Sequence, residues 1–161
     1  MKLFALLCVL SAPLFASAAL AASTGTTDGA LSVKNTDGRV IANATRGGVI
    51  GHLDKGWLTI KDPNPNDGTG PIVNGADSAQ PVGEHTIRYS GTNIRFRMIG
   101  GAFVISVNGS GIDMSVIGRG LVTLDGTTTT TGTYAVNGGA SQPVPSYKLT
   151  FPLDATATAG G

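Results

Sequence analysis

Cysteine is almost missing from this chain of 161 residues: the only one is Cys8, inside an apolar N-terminal stretch. The remainder therefore has no disulfide, no thiolate metal site and no cysteine nucleophile, and its stability must come from packing and backbone pairing. Charge is also sparse, with 11 Lys and Arg against 10 Asp and Glu. Once Lys2 is set aside with the leader, the two signs balance. This argues against a cationic surface for nucleic acid or an anionic membrane. Glutamate occurs once, at Glu84, and histidine only at His52 and His85. No Gly-x-Ser-x-Gly elbow, Ser-x-x-Lys pair or His-Glu-x-x-His helix is present, so the common hydrolase signatures are lacking.

What is present begins with a leader. Met1 and Lys2, the apolar run 3–10 and the small residues after Pro13 stand in the order of a secretory signal. The apolar run is too short to span a bilayer. Small residues permit cleavage after Ala18 or Ala21, and the second is favoured, giving a signal over 1–21. Leu7 before Cys8 argues against a lipoprotein. The expected localisation is secreted or extracytoplasmic envelope.

Glycine is the most informative residue. Gly29, Gly38, Gly47 and Gly56 recur every nine residues, as do Gly91, Gly100, Gly109 and Gly118. Between them apolar residues alternate, as in Ile94-Arg95-Phe96-Arg97-Met98, which is the period of a strand with one buried face. Two-residue turns at the glycines predict consecutive hairpins. Their register puts Ile94, Phe96, Met98, Phe103, Ile105, Val107, Ile112, Met114, Val116 and Leu121 on one face. In the first array it groups Leu31, Val33, Val40, Ala42, Ala44, Val49, Leu53, Leu58 and Ile60. A one-residue slip would bring Arg95 and Arg97 onto the apolar face.

The expected fold class is all-β: two four-stranded antiparallel meanders packed as a sandwich or closed as a barrel, with a β-solenoid as the alternative. The opposite face of the second array holds Val122 and Leu124 among polar residues. Residues 133–136 and 147–151, or a second copy of the chain, are candidates to cover it. The domain is expected over 22–154, with a long Pro-rich loop at 63–83 and a flexible tail at 155–161.

The segments Asp62-Pro63-Asn64-Pro65, Gly75-Ala76-Asp77-Ser78, Tyr89-Ser90-Gly91, Arg95-Phe96-Arg97 and Gly111-Ile112-Asp113 resemble a group of small, Gly-rich secreted bacterial proteins with no assigned function. The resemblance implies secretion and an all-β fold, and transfers no catalytic or binding residue.

Three constellations bear on chemistry. Asp62, Asn64, Asn66 and Asp67 precede Gly68 with alternating oxygen donors, a pattern that can wrap calcium or simply cap its own backbone as a polar turn. Calcium is the only cofactor the sequence raises. Asn108 to Val116 also resembles one calcium β-roll unit, but without the tandem copies such a site needs. Arg88, Arg95, Arg97 and Arg119 offer either cross-strand pairing or a grip on an anionic glycan or carboxylate, and Trp57 either a sugar platform or a core-edge aromatic.

The expected function is a secreted, non-enzymatic structural or binding module at the cell exterior. Its partner is an unidentified surface, glycan or protein, with no nucleic acid, no membrane insertion after leader removal, and room for a homo-oligomer. The alternatives are a secreted hydrolase using His85 with nearby carboxylates, and a calcium-stabilised glycan- or envelope-binding domain.

Overall fold

A computed structural model describes residues 27–129 and 132–159. The expected signal at 1–21, with Cys8, lies outside the described residues. Those residues contain no helix and seven strands: β1 (Gly29–Lys61), β2 (Ile72–Gly83), β3 (Thr86–Ile99), β4 (Phe103–Gly126), β5 (Thr133–Val136), β6 (Gln142–Pro143) and β7 (Leu149–Leu153). The all-β class is as the sequence predicts, and every ladder is antiparallel. A solenoid of parallel rungs is thereby excluded. The path β2-β3-β1-β4-β7 has two free ends, so the sheet is not a closed barrel.

The strand connections differ from the expected tight turns. β1 runs through Gly38, Gly47 and Gly56 as one strand of 33 residues. Straight, it would reach roughly 110 Å, far beyond a domain of this size, so it must coil. Its partners show how. Leu53 faces Ile94 of β3 and Val33 faces Met114 of β4, on one antiparallel progression interrupted around Gly100–Ala102 and at a bulge between Val33 and Thr36. A second ladder then uses the other edge. Val107 lies between Val40 and Leu58, and Val116 between Leu31 and Val49, so β4 meets two passes of β1 that are two glycine periods apart.

The nine-residue glycines are the corners of this coiled ribbon, where they face one another. Gly56 pairs with Gly109 and Gly91, and Gly47 with Gly118. At Gly56 the backbone has φ +146°, and a Cβ there would fall against the Asn108 carbonyl oxygen. Only glycine allows both that conformation and that approach.

Inward faces largely follow the predicted alternation. Phe103, Ile105, Val107, Ile112 and Leu53 are fully buried in one core with Leu31, Phe96 and Met98. Leu121 is the exception at 52 % exposed, whereas Val122 and Leu124 are buried. The predicted turn at Gly118 would reverse the alternation. In the structure the strand continues, and Leu124 and Val122 share a face with their partners Val40 and Ala42.

Two of the expected covering pieces are strands. β5 pairs with β1 at Leu31–Lys34, and β7 pairs with β4 at Gly120–Leu124. Tyr134 and Phe151 stack with ring centroids 6.1 Å apart. The expected loop at 63–83 is a strand in its second half, β2, an edge strand whose only sheet partner is β3. An edge position tolerates Pro81, which has no N–H to contribute. The described tail is also held. Ala157 and Ala159 pack on the core, and Asn137 Nδ2 donates to the Asp154 and Ala157 carbonyls, each at 2.8 Å.

Candidate functional site

The outer face of the sheet carries a groove of about 640 Å³ crossing β2, β3, β1, β4 and the first part of β1. Pairing sets its two rows. Ile72, Arg97, Ile50, Ser115 and Ser32 form one, and Asn74, Arg95, His52 and Asp113 the next, with Lys34 beside Asp113 at the bulge between Val33 and Thr36. Because cross-strand partners point to the same side, residues far apart in sequence share one surface.

The electrostatics are asymmetric. Lys34, Arg95 and Arg97 line the groove against one carboxylate, Asp113. Asp113 Oδ1 already accepts the Asn35 N–H at 2.9 Å. His52 Nε2 lies 3.0 Å from Asn93 Oδ1 and 3.6 Å from Asp54 Oδ1. Asn35 and Asn93 both have positive φ, at 47° and 58°, a conformation asparagine tolerates better than most residues. Among the described residues Arg95 and Arg97 make no ion pair and no side-chain hydrogen bond. Ile50 and Ile72 flank them, nearly half exposed.

The four arginines singled out in the sequence thus separate. Arg88 lies against Thr59, with Nε 3.5 Å from Oγ1, and Arg119 is paired across the ribbon with Arg46. Only Arg95 and Arg97 reach the groove. Asp113, the acidic residue of the β-roll-like segment, belongs to the groove as well. His52 lies half-buried in the groove between Arg95 and Asp113, and Lys34 completes the far side. The signal for Lys34 was its place beside Ser32 on the polar parity of β1; its relation to Arg95 required the fold. Trp57 is 45 % exposed, between Ser90 and Asn108, outside the groove.

The proposed calcium ligands occupy the turn after β1. Asp62 is buried, and its Oδ1 accepts the Asn64 N–H at 2.9 Å. Asp67 is exposed and accepts the Thr69 N–H at 2.9 Å and the Thr69 hydroxyl. Those bonds to Thr69 hold its carboxyl below the usual carboxylate range. The Asp67 N–H donates to the Asn64 carbonyl at 3.1 Å, and Asn66 is exposed. These are Asx turns, in which the carboxylates organise their own backbone. No group of three or more His, Cys, Asp or Glu side chains converges among the described residues.

His85, at φ +49°, lines a smaller cavity of about 170 Å³ with Asp62 and Tyr89. The fold thereby brings a histidine, a carboxylate and a phenol to one place. No side-chain hydrogen bond links them among the described residues, and no serine or threonine lines the cavity. Burial raises the Tyr89 hydroxyl above its usual pKa, which keeps it protonated at neutral pH.

Comparison with protein-family models, with curated proteins and with solved structures gives no match.

Proposed function

We propose that this protein is a non-enzymatic binding module acting at the cell exterior, and that the outer groove is its ligand-binding surface. One observation carries the reading: in a chain whose charges nearly cancel, Arg95 and Arg97 stand without partners over a concave surface flanked by exposed isoleucines. Such a combination of anchoring charge, apolar contact and rigid strands is what a binding surface requires.

A hydrolase at His85 is the second reading, favoured by the cavity shared with Asp62 and Tyr89. Its weakness is the missing relay. A general base needs an orienting partner and a nucleophile within hydrogen-bond reach, and Asp62 Oδ1 is engaged by its own turn.

Retention of cell-envelope material on the immobilised chain separates the two. Ser115→Trp, which fills the groove, is expected to abolish retention, while His85→Ala leaves it intact and the retained material keeps its mass. Breakdown of that material, lost in His85→Ala, would overturn the binding reading. So would retention indifferent to Ser115→Trp.

A further inference from the structure

Resting on that reading, we infer that the groove takes a linear polysaccharide bearing carboxylates. The first support is the placement of charge. Arg95 and Arg97 project from adjacent outward positions of β3, and Lys34 lies three strand positions away, roughly 14 Å at ordinary strand spacing. One carboxylate cannot serve both ends. A chain with repeated carboxylates can, and arginine's planar fork matches the carboxylate geometry.

The second support is what lies between the cations. Besides Asp113, whose Oδ1 is engaged by the Asn35 N–H, Ser115 and His52 present polar groups there, with Asn74 beyond the arginines on β2, and Ile50 presents an apolar one, with Ile72 beyond it on β2. Sugar hydroxyls pair with the polar groups, and the apolar faces of pyranose rings cover the isoleucines. An acyl chain would leave the polar groups facing hydrocarbon, which is costly. A second copy of this chain would set the same cationic lining against itself. An acidic peptide answers the charge but has no hydroxyls for the central groups.

The test is calorimetric titration of the purified chain with oligogalacturonate, with dextran and poly-glutamate as comparisons. Oligogalacturonate is expected to bind, dextran not to bind, and poly-glutamate to bind about tenfold more weakly. Arg95→Gln and Arg97→Gln should each weaken binding by about fivefold, the range of one exposed charge pair. Added salt should weaken it further. Ile50→Ser should also weaken it without any change of charge. These side chains are exposed, and unchanged melting curves would show that the variants fold.

No binding of oligogalacturonate, equal binding of poly-glutamate, or indifference to Arg97→Gln would overturn the inference. If groove-dependent retention of envelope material survives that failure, the binding reading stands and only the ligand class falls. Retention that ignores Ser115→Trp removes both.

Discussion

Leu121 and Leu124 are a matched pair for testing the coiled ribbon, because they are the same residue on the same strand and face opposite ways. Leu124 is fully buried between Val40 and Leu149, while Leu121 is 52 % exposed. Truncating Leu124 to alanine removes buried carbon worth about 2 kcal/mol in transfer, and the residual cavity raises the cost to about 3–5 kcal/mol. The same truncation at Leu121 removes half-solvated carbon and leaves no cavity, so about 1 kcal/mol or less is expected. Changes in intrinsic strand preference are common to both and cancel. At about 4 °C per kcal/mol for a domain of this size, the two melting temperatures should differ by roughly 8–16 °C. Urea unfolding followed by circular dichroism supplies the free energies, with an unchanged slope showing that both variants unfold in the same way. If Leu121→Ala proved the costlier, the alternation would reverse at Gly118 as a tight hairpin demands, and the continuous β4 would be wrong.

Gly56→Ala should destabilise the domain by about 2–5 kcal/mol, since it combines a glycine-only conformation with a collision against the Asn108 carbonyl. Gly68→Ala, where no atom lies within 4 Å, should cost only the strain of its positive φ, about 1 kcal/mol; equal costs in urea unfolding would refute the corner role. Asn137→Ala should cost about 2–4 kcal/mol, because Oδ1 accepts the Ala30 N–H at 2.7 Å and Nδ2 holds two tail carbonyls, and hydrogen exchange at Ala30 should accelerate. Asp67 and Asp154 have carboxyl pKa values lowered mainly by their bonds to Thr69 and Thr156. Their contribution is present above the unfolded value of 3.8 and is lost as pH falls through the folded values. Asp154→Asn should therefore flatten the acid limb of the stability profile. Millimolar calcium should leave the melting temperature unchanged, and a rise that Asp67→Asn suppresses would support the metal reading.

The inward and outward assignment was legible in the sequence because a strand alternates whatever its neighbour is. Phe96, Phe103 and Ile112 are buried, and Arg95 and Arg97 exposed, as the period of two requires. The nine-residue glycines were equally legible as special backbone positions. Their use was not, because a glycine that permits a tight turn also permits a bend in a strand whose corners touch. Choosing between these depends on contacts between residues remote in sequence, such as Gly47 with Gly118.

The candidate site divides along the same line. The sequence by itself determined that Ser32, Lys34, His52, Arg95, Arg97 and Asp113 occupy polar positions of strands. Which of them share a surface was decided by coiling, which sets two separate passes of β1 on either edge of β4, so that Lys34 and His52 flank Asp113, Arg95 joins that row and Arg97 the neighbouring one. Alternation is a local property of the backbone. Partner choice is settled by closure of a common core, in which Val40, Leu58 and Val107 must meet, and only the folded chain brings them together.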